Sequence, residues 1–183
     1  MKMLKDDWLA LGLELLVEAG VAQVKIDPLC QRAGATKGSF YHHFKNRDVF
    51  LTELLSYWRE HYSQQLIDKV QNLPEWQQRR NSLLDLIDDK ALSVESAVRH
   101  WAWQDELAKL AVQEADQIRL DYLTGQCFSM LPEAKQDKAE LLAGILYWKF
   151  VGCVQAGDQV SREQWRQMDD LMAEMIEGWS GLA

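Results

Sequence analysis

The stretch that decides the fold is DPLCQRAGATKGSFYHHFKNR, from Asp27 to Arg47. Asp27-Pro28 opens a helix, because Asp is a good N-cap and the fixed φ of Pro suits the first helical position. That helix is brief, Leu29 to Ala33, and Gly34 ends it. Thr36 can cap a second helix running from Lys37 to about Phe44, and Asn46 or Arg47 begins the next. Two short helices joined by a tight glycine-containing turn have the form of a helix-turn-helix. In that motif the first helix braces and the second enters the major groove of duplex DNA.

Side-chain chemistry along the second helix suits that task. Leu29, Ala33, Phe40 and Phe44 are expected to pack inward, leaving Lys37, Gly38, Ser39, Tyr41, His42, His43 and Lys45 outside. The Thr36 hydroxyl and the first-turn N–H groups can meet a phosphate. Lys37 and Ser39 are placed to reach base edges, and Lys can donate to guanine O6 and N7. Gly38 weakens the helix by about 1 kcal/mol relative to Ala, and its missing side chain permits close approach. Tyr41 and His43 can donate to phosphate oxygens, and Lys45 and Arg47 are placed to clamp the backbone.

Working outward, the pattern is helical throughout. Before the motif, a helix is expected over Lys5–Ala19, with Trp8, Leu9, Leu11, Leu15, Leu16 and Ala19 on its apolar face and Gly20 at its end. After it, Leu51, Leu54, Leu55, Trp58, Tyr62 and Leu66 form one helical stripe, broken at Leu73-Pro74. Further helices are expected near 76–88, 94–103, 105–130, 134–156 and 162–179. Ser161 and Gln164 fit a capping box at the start of the last. The fold class is therefore all-α, with about nine helices: a three-helix DNA-binding domain over residues 1–50 and a helical bundle over 51–183.

Composition narrows the function classes. The 183 residues carry a net charge of −8, which excludes a wholly basic nucleic-acid binder. Yet residues 25–47 hold Lys25, Arg32, Lys37, Lys45 and Arg47 against Asp27 alone. A local basic patch on an acidic chain can still bind phosphates. The three cysteines, Cys30, Cys127 and Cys153, are scattered and fit neither a disulfide framework nor a zinc site. No segment reaches the ~18 uninterrupted apolar residues of a membrane span, and Asp6, Asp7 and Glu14 interrupt the only candidate leader. Nucleophile elbow, P-loop, dinucleotide fingerprint and HExxH are all missing, so no enzyme, metal or cofactor is expected.

The run from Ala33 to Arg47 closely resembles the DNA-binding signature of the tetracycline-repressor (TetR) family, approximately AGVSxGxxYxHFxxK. Thr36 stands for the usual Ser, Ala35 for Val, Cys30 for a small Ala and Arg47 for Lys, and none of these removes a needed hydroxyl, aromatic or charge. The resemblance covers residues 5–55. It implies a bacterial, cytoplasmic transcriptional regulator, associated with the nucleoid when bound. Most such regulators are repressors that bind a palindromic operator as a homodimer and release it when a small ligand occupies the C-terminal domain. By the family pattern Thr36, Lys37, Ser39, Tyr41, His43 and Arg47 fall on contact positions. A helical module that kept the dimer but acts on a protein partner is the competing reading.

The resemblance also implies a dimer made from the last two long helices. Leu141, Ile145, Met168, Met172, Met175 and Trp179 are the expected interface. For the small-molecule ligand, Trp101, Trp103, Tyr122, Gln126 and Trp148 fall in the middle helices where the family's pocket lies. An aromatic-lined cavity would suit a flat or apolar molecule.

Overall fold

The computed structural model describes residues 3–181. The described residues are helical, with no strand among them. In chain order the helices are α1 (Lys5–Ala19), α2 (Ile26–Ala33), α3 (Lys37–His43), α4 (Arg47–Arg59), α5 (Gln65–Val70), α6 (Trp76–Leu86), α7 (Asp89–Ala102), α8 (Glu106–Met130), α9 (Ala139–Ala156) and α10 (Arg162–Ser180). None is long and apolar enough to cross a membrane. The chain divides into two compact units, Met1–Gln65 with Ser93–Ala115, and Leu66–Leu92 with Asp116–Ala183.

In the first unit an aromatic wedge holds the short helices. Trp8, Phe40, Phe44 and Phe50 are fully buried. The Phe44 and Phe50 rings meet edge to face at 4.9 Å, and Phe40 meets Trp8 in the same way at 5.5 Å. Such geometry puts the positive edge of one ring on the negative face of the other. Gly12 lets α4 approach α1: a Cβ there would lie 2.7 Å from Cζ of Phe50. The same core continues into Leu51, Leu54, Leu55 and Trp58 of α4, Val94, Val98 and Trp101 of α7, and Ala108, Ala111 and Ala115 of α8. The helices expected to bind DNA are thus packed on residues well beyond position 50.

Two local details differ from the sequence reading. Helix α2 starts at Ile26 with Lys25 as its N-cap, so Asp27 and Pro28 lie inside the first turn. Pro is tolerated there because the first N–H groups have no intrahelical partner. The long stripe after the motif is also interrupted. Residues Glu60–Gln64 form a π-helical turn between α4 and α5. Such a turn accommodates one extra residue, and the buried face moves accordingly from Tyr62 and Leu66 to Ser63, Ile67 and Val70.

In the second unit Cys127, Leu131, Ala139, Leu142, Ala143 and Ile176 form the core, with Leu123, Met130, Leu146 and Met172 packed against it. Residues Glu133–Lys138, expected as the start of a long helix, are a 3-10 segment that leads into α9. Ser161 caps α10 with the expected box: its hydroxyl accepts from Gln164 N, and Gln164 Oε1 accepts from Ser161 N. Arg80 pairs with Asp169 and Asp170, and Lys149 also pairs with Asp169, tying α6 and α9 to α10.

Candidate nucleic-acid interface

The turn between α2 and α3 is set by two caps. Gly34 takes a left-handed conformation, φ 58°, which costs glycine little. Its N–H donates to Gln31 O at 3.2 Å and Ala35 N–H donates to Cys30 O at 3.0 Å, the paired bonds of a Schellman motif. Thr36 then caps α3, its hydroxyl accepting from Ser39 N at 3.3 Å. These caps reverse the chain within three residues, Gly34 to Thr36.

Phe40 anchors the inner side of α3, and Phe44, which caps its C-terminal end, is buried beside it. The outer side is therefore polar and open: Thr36, Lys37, Gly38, Tyr41, His42 and Lys45 are exposed, and Ser39 is half-buried. A Cβ on Gly38 would meet only the Thr36 hydroxyl, at an ordinary 3.6 Å. The protein's own packing does not require glycine there. Lys37 pairs with Asp27 of α2 at 2.6 Å, and that carboxylate holds the ammonium above its usual range. Lys45 has no carboxylate partner among the described residues.

Two expected contact residues have other work in the structure. Arg47 donates from Nε to Val24 O at 2.7 Å and from Nη2 to Val21 O at 2.9 Å, bracing the segment before α2. His43 Nε2 lies 3.0 Å from Met3 O, which ties the end of α3 to the segment leading into α1. Arg32 pairs with Glu18 and so ties α2 to α1. The sequence pattern marked Arg47 and His43 by residue type, but it does not show these carbonyl partners.

Residues 9–54 match the model of bacterial regulatory proteins of the tetR family. Over this segment the chain is similar to that family. The TetC protein of transposon Tn10, from Escherichia coli, is 29% identical over 132 residues, 67% of this chain. That alignment spans 61% of TetC's own length. A transcriptional regulator from Rhodococcus sp. Rha1 shares the fold with a TM-score of 0.74 at 14% identity, over 97% of this chain and 98% of that one. BioQ, solved with its double-stranded DNA operator, shares it with a TM-score of 0.54 at 17% identity, over 96% and 99% of the two chains. The match runs from Leu9 within α1 through α2 and α3 to Leu54 of α4.

The residues expected at a ligand site are divided between the units. Trp101 and Trp103 belong to the first. Trp101 is buried in its core, whereas Trp103 is 72% exposed. Tyr122, Gln126 and Trp148 belong to the second. Tyr122 and Gln126 stand one turn apart on α8, and the Tyr122 hydroxyl and Gln126 Oε1 are buried without a hydrogen-bond partner. Arg79 Nε, which the sequence reading passed over, is buried without a partner as well.

Of the residues expected at a dimer interface, Leu141 and Ile145 on α9 and Met168, Met175 and Trp179 on α10 are exposed. Met172 is half-buried and packs against the core of the second unit. Trp148, expected at the ligand, shares the exposed stripe of α9 with Leu141 and Ile145, as offsets of four and three residues require. Burial pushes the Cys127 thiol up to about 11, so it stays protonated and a poor nucleophile near neutral pH.

Proposed function

We propose that this chain is a transcriptional regulator that binds duplex DNA through α3. In this reading it is a repressor of TetR type, binding a palindromic operator as a homodimer and leaving it when a small molecule occupies the second unit. One observation carries the proposal. The family-matched segment holds a solvent-facing row of Thr36, Lys37, Gly38, Tyr41, His42 and Lys45 on a helix whose other side is locked by Phe40. Donors of this kind serve phosphate oxygens and base edges, and a glycine among them lets the backbone come close.

Ser39 joins the row from a half-buried position. Arg47 and His43 serve by holding α2 and α3 in place, and the rest of the Arg47 guanidinium is left for a phosphate. A homodimer follows from reach: one short helix reads few base pairs, and two of them about 34 Å apart read an inverted repeat. The exposed stripes Leu141-Ile145-Trp148 and Met168-Leu171-Met175-Trp179 supply apolar surface for such a dimer. The BioQ complex with its operator supports the DNA partner.

Fluorescence anisotropy with the purified full chain tests this. The duplexes are the intergenic DNA beside its own gene and a scrambled duplex of equal length, each at two salt concentrations. Tight binding to the native duplex alone, weakening steeply with salt, is the expected result. Equal affinity for both duplexes, or none for either, counts against an operator-binding regulator acting beside its own gene.

A further inference from the structure

Asp27 is the only carboxylate residue in the sequence from 25 to 47. Its residue type suits a helix cap, yet it is not one: the N-cap of α2 is Lys25, and no side chain bonds there. Among the described residues the partner of Asp27 is Lys37, whose Nζ lies 2.6 Å from Asp27 Oδ1. Both side chains are open to solvent, Lys37 62% exposed and Asp27 70%. The turn between them is fixed by the bonds from Gly34 N–H to Gln31 O and from Ala35 N–H to Cys30 O. The first turns of α2 and α3 therefore carry the pair side by side.

Such a pair is a poor clamp for a phosphate. It has no net charge, and its carboxylate repels the anion that its ammonium attracts. A base edge is different, because it presents donors and acceptors without net charge. An ammonium has three N–H donors; one serves Asp27 and two remain. The carboxylate keeps lone pairs for a further donor. Two donors beside an acceptor call for two acceptors beside a donor. In the major groove a G·C pair presents guanine N7 and O6 and next to them cytosine N4–H. An A·T pair offers only N7 before its N6 donor, with thymine O4 beyond, and leaves one ammonium N–H unmatched.

We propose that Asp27 is a specificity-determining residue, reading with Lys37 one G·C pair in each half-site. Lys37 donates to guanine N7 and O6, and Asp27 accepts from cytosine N4. This deepens the DNA-binding reading above and rests on it. It gives a base-reading part to an acidic residue of α2, outside the basic row on α3. The carboxylate also acts against wrong sites. Opposite a pair with no donor at that place it faces an acceptor and loses water without a replacement.

The test is selection from a random duplex library with the full chain, followed by fluorescence anisotropy on the recovered repeat. Each G·C pair of the half-site is replaced in turn by A·T, in both halves at once. At one position the unaltered chain is expected to lose about tenfold or more in affinity. At that same position Lys37→Ala and Asp27→Ala are each expected to lose less than about threefold. Asp27→Ala is expected to keep its preferences at the other positions. Its Tm is expected to stay nearly unchanged, since an exposed pair adds little to stability. A merely structural role for Asp27 shifts affinity for every duplex alike and leaves the preference in place.

An Asp27→Ala variant with the unaltered preference at every position overturns the proposal. So does a loss at a position other than the one that Lys37→Ala relaxes, and so does a repeat in which Lys37→Ala relaxes no G·C pair. These outcomes leave the operator-binding reading standing. A pool that stays random with the unaltered chain removes that reading and this inference together.

Discussion

The guanidinium of Arg47 donates to the carbonyl of Val24 at 2.7 Å, and a second of its nitrogens reaches Val21 O at 2.9 Å. The first residue of α4 thereby holds the segment that leads into α2. Arg47→Ala removes the donor to Val24 O, while Val21 O keeps the Val24 N–H at 3.1 Å, and a loss of about 1–3 kcal/mol in urea unfolding is expected. Arg47→Lys is expected to recover little, since one ammonium lacks the fixed fork that spans both. A brace and a phosphate contact differ in salt dependence. Losing a phosphate contact lowers the salt slope of DNA binding by about 1. If Arg47 acts chiefly as a brace, Arg47→Ala weakens binding with the slope unchanged.

Gly38 separates the demands of folding from those of binding. The space at its Cβ is open apart from an ordinary contact with Thr36. Gly38→Ala is therefore expected to raise stability, by up to about 1 kcal/mol in thermal or urea unfolding. The same methyl group blocks close approach, so operator affinity is expected to fall. A variant that gains stability and keeps its affinity would place the DNA against another surface.

Lys37 is shared between Asp27 and the proposed duplex. Both partners are exposed, so the pair is worth about 0–1 kcal/mol. Asp27→Asn frees the ammonium and removes a negative charge. Affinity for any duplex is expected to rise by up to about fivefold, with little change in unfolding. Lys37→Ala is expected to weaken binding in the same anisotropy assay and to leave the Tm nearly unchanged.

The exposed and inward faces of the last two long helices make opposite predictions. Ile145→Glu charges an exposed stripe. Monomers in sedimentation, with folding retained and operator binding lost, are expected. Met172→Glu puts a charge at a half-buried position against the core of the second unit. There the expected effect is destabilisation by several kcal/mol, roughly at the upper end for single substitutions. A folded monomer from Met172→Glu and an unaffected dimer from Ile145→Glu would exchange the two faces.

Much of this was legible in the sequence where local chemistry decides the outcome. The Gly34 cap, the Thr36 cap and the Ser161 box use short-range bonds that residue identity nearly determines, and each stands where the sequence put it. The aromatic anchors of the motif were legible for the same reason, since Phe40 and Phe44 have only one apolar side to turn to. What the sequence hid depends on contacts distant along the chain. Asp27 is a cap by residue type, but α2 begins at Ile26, which packs against the core of the first unit. The π turn at Glu60–Gln64 moves the apolar register by one residue, so Leu66 gives way to Ile67. Which of the apolar residues of α9 and α10 are covered is not legible either: Met172 is half-buried and Trp148 exposed, because a helix apolar over much of its surface does not show which side is covered.

The most direct measurement is selection from a random duplex library with the full chain, followed by sequencing, alongside the Lys37→Ala variant. The expected result is an inverted repeat whose half-site centres lie about one helical turn, or a whole number of turns, apart. Enrichment of that repeat is expected to weaken or vanish in the variant. A pool that stays random with the unaltered chain, or a repeat recovered equally well by Lys37→Ala, would contradict sequence reading by α3.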